Sequence, residues 1–256
     1  MPSREPAMFR PVVLIPVYNH EHAVGQVLAA VLEHPVPCLL VDDGSAPACA
    51  EVLRELVASR PERVELLRLP ANQGKGGAII AGALHARRRG YSHVLQIDAD
   101  GQHDSARIAD FLALAEARPE ALICGCPVYD ESVPRARLMG RYLTHVWVWI
   151  NTLSFAVRDA MCGLRVYPLA SLVPLVESVP LGRRMEFDIE VLVRLVWRGV
   201  RIVNVPVRVT YPADGVSHFR VWRDNALISG MHARLFAGML LRAPLLLARK
   251  FGSGAA

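Results

Sequence analysis

The chain has 256 residues, 52% of them hydrophobic, enough to bury a substantial core as one domain or as one domain with an appendage. Its net charge of +5 is unevenly placed: residues 134–158 carry Arg135, Arg137, Arg141 and Arg158 with no acid, and residues 215–250 carry six Lys or Arg against Asp224 alone. Basic segments rich in large apolar side chains, set on an otherwise acidic remainder, suit a phospholipid surface and argue against nucleic acid as a partner.

The first 125 residues alternate short aliphatic runs with helical patterns. Residues 12–15 read as a strand; the surrounding stretch holds two prolines and runs into polar Asn19, which is unlike a secretory leader. Residues 21–33 then place Val24, Leu28, Val31 and Leu32 at helical spacing. A strand at 38–41, a helix at 47–59, a strand at 64–67 and a helix at 76–89 follow. Next come a strand at 93–97, a helix at 105–117 and a strand at 121–124. This alternation predicts an α/β fold, with a mostly parallel sheet covered by helices on both faces.

The second half is less regular. Residues 138–157 and 226–247 are apolar and flanked by arginines. Residues 186–197 form an amphipathic helix pattern, with Ile189, Leu192, Val193 and Val196 on one side and Gly199 as its breaker. Residues 201–210 alternate as a strand does, and Pro206 makes it an edge strand. The charge-free run 142–157 falls short of the ~20 residues a spanning helix needs, so no transmembrane helix is predicted. The leucine-rich tail, interrupted by Arg234, Arg242 and Pro244, reads as an amphipathic helix lying in the headgroup plane. Cys38, Cys49, Cys124, Cys126 and Cys162 are odd in number and sit mostly in apolar runs, as buried thiols of a reducing, cytoplasmic compartment do. Cys124 and Cys126 have no second pair at zinc spacing.

In parallel sheets ligands gather beyond the carboxyl ends of the strands. The polar clusters fall there: Tyr18-Asn19 after the first run, Asp42-Asp43-Gly44-Ser45 after the second and Asp98-Ala99-Asp100-Gly101-Gln102 after the fourth. Two carboxylates two residues apart suit one hard divalent cation whose remaining positions take substrate phosphates; a solvated turn is the other reading. The run Gly74-Lys75-Gly76-Gly77 opens a helix, where exposed N–H groups favour phosphate, although it does not match a P-loop. A plain helix cap is the alternative there, as it is for Asp42-Asp43 through Ser45. Glu186 and Asp188 precede a helix, where the macrodipole favours carboxylates whatever the function; they rank second as sugar or acceptor contacts.

Taken together, Ile15-Pro16-Val17-Tyr18-Asn19, Val41-Asp42-Asp43-Gly44-Ser45, Asn72-Gln73-Gly74-Lys75-Gly76-Gly77-Ala78 and the Asp98 to Gln102 cluster resemble family 2 glycosyltransferases of the GT-A fold. Asp159, Gly163 and Arg165 resemble the Asp-x-x-x-Gly-x-Arg segment of the polyprenyl (dolichyl) phosphate mannosyltransferase-like branch. The resemblance implies a GT-A domain over residues 1–215, with 134–158 as a membrane-facing insertion and 216–256 as a basic amphipathic helical appendage. It implies inverting transfer of a sugar from a UDP- or GDP-linked donor to a membrane-associated acceptor, a lipid or polyprenyl phosphate, by an enzyme peripheral on the cytoplasmic face of the membrane.

The same resemblance distributes the roles. Mg²⁺ or Mn²⁺ would sit on Asp98 and Asp100, with Gln102 adding an oxygen, and act as Lewis acid for the leaving diphosphate. Pro16, Tyr18 and Asn19 would wall the nucleotide pocket, Asp42 on the base side and Asp43 on the ribose side, while Lys75 and Ala99 meet the donor. Asp159 would act as general base, or orient an acceptor that needs no deprotonation. Arg135, Arg137 and Arg141 would hold the lipid phosphate. Arg165 would join them or pair with Asp159. A loop through Ser217, His218, Phe219 and Arg220 would close over the diphosphate.

Two departures stand out. Gly44-Ser45 replaces the Asn-Ser usual after the paired aspartates, and the two C-terminal transmembrane helices of many bacterial relatives are not predicted, which leaves a different lipid or a lipid-like metabolite open as acceptor. The competing readings are a metal-dependent nucleotidyltransferase, for which the basic glycine-rich N-terminal loop is lacking, and a non-catalytic peripheral membrane protein that keeps the fold.

Overall fold

A computed structural model describes residues 8–128, 135–209 and 220–252 of the chain. The side chains of Arg135 and Arg137, and the loop through Ser217, His218 and Phe219, lie outside the described residues.

The predicted alternation folds as β1 (Pro11–Val17), α1 (Val24–Leu32), β2 (Cys38–Asp42), α2 (Pro47–Ala58), β3 (Val64–Arg68) and α3 (Lys75–Arg88). β4 (His93–Gln96), α4 (Ile108–Ala117) and β5 (Leu122–Val128) follow, the predicted helix at 105–117 starting with a 3₁₀ turn at Ser105–Arg107. β1 and β2 are buried almost throughout, as strands covered on both faces must be. The second half adds α5 (Arg135–Thr152), β6 (Arg165–Pro168), α6 (Leu169–Ser178), α7 (Phe187–Trp197), β7 (Ile202–Arg208) and α8 (Val221–Gly252).

The seven strands run in the order β3-β2-β1-β4-β6-β5-β7. All neighbours are parallel except at β6, which is antiparallel to both β4 and β5. β7 is an edge strand, with Pro206 in register with Cys126. The chain leaves β1 toward β2 and β3, then returns to lay β4 on the other side of β1. Ligand crevices open at the carboxyl ends of such a pair, where the connections diverge to opposite sides.

β6 and α6 are not predicted from the sequence. β6 is four residues long and fully buried, too short to show a period. α6 carries Pro174 inside it, which reads as a breaker in one dimension.

The tail forms the expected C-terminal helix, α8, with one side packed on the domain. Met231, Leu235, Met239 and Leu246 line one side of α8 and belong to the same core as Val148, Leu192 and Trp197. The Arg242 guanidinium lies 4.8 Å from the centre of the Trp197 ring, and Arg249 Nη1 donates to Trp197 O at 2.7 Å. By length and composition the stretch Val221–Arg249 is also apolar enough to cross a membrane, because two arginines and a proline interrupt the apolar run without interrupting the helix.

Candidate functional site

The carboxyl ends of β1, β2 and β4 bring three turns together. Asn19, just past β1, takes a left-handed φ of 53°, donates its N–H to Ser45 Oγ and accepts from Ala46 N at 2.8 Å, so the first two turns are tied. Pro16 is buried in β1, and Tyr18 is half-buried beside it. Asp42 accepts from Ser45 N and from Arg68 Nη1, both at 2.8 Å. Asp43 accepts from Gln73 N, Gly74 N and Asn72 Nδ2. Burial pushes the Asp43 carboxyl up, opposed by the N–H groups of Gln73 and Gly74. Gly44 has φ 70°, and a Cβ there would meet the backbone at Ala71 and Asn72 at 2.6 Å, so only glycine lets these turns touch.

Asp42 and Asp43 are 0% and 2% exposed, and each has both oxygens hydrogen-bonded within the protein. Buried carboxylates need such internal donors, and here they build the floor of the crevice where base and ribose contacts are expected.

Asp98 and Asp100 stand beyond β4, both half-buried, with Ala99 buried between them. Asp98 Oδ2 accepts from Lys75 Nζ at 2.8 Å and lies 3.5 Å from His103 Nε2. Burial raises the Asp98 carboxyl, but the Lys75 ammonium and His103 outweigh it and hold the group well below the carboxylate range. Asp98 Oδ1 is buried with no hydrogen-bond partner among the described residues, and Asp100 Oδ1 accepts from Gln102 N at 3.0 Å. A buried carboxylate oxygen with no donor beside a second carboxylate is what a hard cation satisfies, so these residues fit Mg²⁺ or Mn²⁺. Among the described residues no three His, Cys, Asp or Glu side chains form a complete metal cage. Any ion here would take its other ligands from Gln102, substrate or water.

Gly163 explains its place in the Asp159 segment. A Cβ at this position would lie 2.0 Å from Asp98 Oδ2, so the Asp98 carboxylate occupies the space that a side chain would fill. Lys75 opens α3 with Gly74 as its N-cap, and bridges Asp98 to Asp188 Oδ2, also at 2.8 Å.

Asp159 and Arg141, expected in separate roles, form a bidentate pair: Nε donates to Oδ2 and Nη2 to Oδ1, both at 2.7 Å. Oδ1 also accepts from Met161 N and Cys162 N, and His145 Nε2 lies 3.2 Å from Oδ2. Burial opposes the charge, but His145 and Arg141 outweigh it, and the carboxyl is held well below its usual range. Four donated hydrogen bonds leave Asp159 a poor proton acceptor.

Arg165 takes neither expected partner. It is 0% exposed, and Nη1 donates to Asp188 O at 2.6 Å and to Tyr167 Oη. An acceptor cannot reach it, and Arg141 takes its place beside Asp159. Sequence reasoning misses His103 and His145: His103 faces Asp98 from the same turn after β4, and His145 faces Asp159 from α5, across a loop.

Fold and site together define a glycosyltransferase of the GT-A fold. Residues 12–166 match the model of "Glycosyl transferase family 2", more than half of the chain, and the chain belongs to that family. It is 29% identical over 225 residues to the polyprenol monophosphomannose synthase of Mycolicibacterium smegmatis, covering 84% of each chain. The undecaprenyl-phosphate mannosyltransferase of Micrococcus luteus is 26% identical over 211 residues, covering 77% of this chain and 82% of that one. Among solved structures, glucosyl-3-phosphoglycerate synthase from Mycobacterium tuberculosis in complex with Mn²⁺ and UDP-glucose superimposes with a TM-score of 0.62 at 16% identity, over 92% of this chain and 79% of that one. The nucleotidyltransferase and non-catalytic readings give way to this assignment.

Proposed function

We propose that the chain transfers a sugar, with inversion, from a UDP- or GDP-linked donor to a polyprenyl phosphate or similar lipid phosphate at a membrane surface. The observation that carries this reading is the pairing of a donor-side carboxylate with a free buried oxygen, Asp98, and an acceptor-side carboxylate with its lone pairs taken, Asp159. Asp98 and Asp100 would hold Mg²⁺ or Mn²⁺, Gln102 adding an oxygen, and the ion would neutralise charge on the leaving diphosphate. Lys75, Pro16, Tyr18 and Asn19 would line the donor crevice.

An alcohol acceptor needs a base to take its proton, whereas a phosphate arrives already ionised. Asp159, saturated by Arg141 and backbone N–H groups, is suited to the second case. Its work is to hold Arg141 with its guanidinium planar and aimed, so that an acceptor phosphate meets a prepared cation. Arg137 and Arg135 stand four and six residues before Arg141 on α5, and both are proposed as further acceptor contacts.

The membrane side is supported by the two long helices. α5 exposes Met139, Tyr142 and Leu143, and α8 exposes Leu240 and Leu241, while the opposite side of α8 is packed on the domain. A helix held along its length by its own domain is suited to lying in the interface, not to crossing it. The five cysteines are free thiols, the state kept in a reducing cytoplasm, which favours the cytoplasmic face.

The test is a transfer assay with Mn²⁺, radiolabelled UDP-glucose or GDP-mannose, and either a polyprenyl phosphate or the matching free polyprenol. Label should enter the lipid phase with the phosphate alone. Equal transfer to the free alcohol would overturn the acceptor assignment.

A further inference from the structure

Lys75 carries a positive charge on the first residue of α3, the end of a helix that disfavours cations. Two carboxylates from other elements hold it there. Nζ lies 2.8 Å from Asp98 Oδ2 and 2.8 Å from Asp188 Oδ2, with the lysine side chain 17% exposed. Asp188 is fixed in turn: Gln96 Nε2 donates to its Oδ1 at 3.4 Å, and the buried Arg165 donates to its carbonyl. The ammonium therefore neutralises the carboxylate that, on the reading above, receives the divalent cation.

We propose that Lys75 is a built-in stand-in for that cation, and that Asp188 is the second seat on which it remains when Asp98 is given over to the metal. Two charges cannot share Asp98 without repulsion, and a monovalent side chain already in contact must withdraw before a divalent ion is bound at full strength. Asp188 makes withdrawal short, because the ammonium keeps one carboxylate throughout and stays at the helix start where a donor diphosphate would also meet it. The consequence is order: the cation binds poorly alone and well with a nucleoside diphosphate, whose phosphates draw Lys75 off Asp98. The Lys75–Asp188 pair is thus a positioning device acting through Asp98. This inference rests on Asp98 being a metal ligand.

The test is a Mn²⁺ titration followed by the electron paramagnetic resonance of free Mn²⁺, without nucleotide, on the wild type and on the double variant Lys75→Met, Asp188→Asn. The double variant removes one positive and one negative charge, so the net charge of the site is unchanged; Lys75's competition for Asp98 is lifted while His103 stays in place in both proteins. It should bind Mn²⁺ at least about ten-fold more tightly than the wild type. Equal or weaker binding by a folded double variant overturns the stand-in role. Should that variant fail to fold by circular dichroism, Asp188→Asn alone decides: with Asp98 as its sole carboxylate the ammonium stays put, and Mn²⁺ binding should weaken several-fold, whereas unchanged or tighter binding overturns the proposal. A wild type that binds no Mn²⁺ even with UDP or GDP present removes the metal reading itself. A wild type that binds it, beside an unimproved double variant, removes only the stand-in.

Discussion

The two halves of the molecule treat their carboxylates in opposite ways. In the first, Asp42 and Asp43 accept mainly from N–H groups close to the sheet's carboxyl edge, building turns that present Asp98 with one oxygen unsatisfied. In the second, Asp159 is matched by a guanidinium from a helix that exposes apolar side chains elsewhere along its length. On the proposed function, the donor side is a rigid frame around a carboxylate with one oxygen left open, while the acceptor side is a cation tethered by its counter-ion.

The largest way to break this contrast is Asp100→Ala. The carboxylate is half-buried and accepts from Gln102 N within its own turn, so its loss should leave the melting temperature nearly unchanged while transfer falls at least about 100-fold. Wild-type turnover would remove the metal assignment. Asp159→Asn strikes the other half: it should destabilise by about 2 kcal/mol and raise the acceptor KM about ten-fold, with the donor KM unmoved. Its pH–rate profile should show no lost basic group; disappearance of an acid limb present in the wild type would restore the general-base role.

Gly163→Ala sharpens the comparison by crossing it, since this glycine sits beside the Asp159 segment yet touches Asp98. The added methyl should displace the carboxylate and weaken Mn²⁺ binding about ten-fold, measured by calorimetry. Leu240→Asp with Leu241→Asp should weaken partition to anionic vesicles about ten-fold at unchanged donor affinity, and equal partition would place the membrane face elsewhere.

The smallest effect concerns the docking of α8. His232 is buried between α5 and α8, where Asn151 Nδ2 contacts its Nδ1 and Trp147 stacks on it, and burial holds its pKa down to about 4 from 6.5. The unfolded chain takes up a proton that the folded one refuses. Stability is therefore full above pH 6.5 and declines as the pH falls toward 4. His232→Leu should remove that decline in thermal melts.

The first half is legible in the sequence because its information is local. Aliphatic runs of four to seven residues alternate with helical spacing, and the turn residues follow each strand, so the placing of Asn19, Asp43 and Asp98 at one edge follows from topology alone. The second half depends on contacts far along the chain. Arg165 looks like a phosphate ligand beside a motif aspartate, but it lies in a strand buried on both faces, and the Arg141–Asp159 pair joins residues 18 apart through a helix and a loop. Likewise α8 looks like an appendage until its side chains meet Trp197. No periodicity encodes such meetings.

On the proposed function, a cation on Asp98 and Asp100 joins the protein to the donor diphosphate. Its most direct test is the thermal shift produced by UDP- or GDP-sugar with Mn²⁺ and with chelator, in the wild type and in Asp100→Ala. The donor should raise the melting temperature only with Mn²⁺, and the rise should vanish in the variant; an equal rise in chelator, or an undiminished rise in Asp100→Ala, would overturn the cation's role.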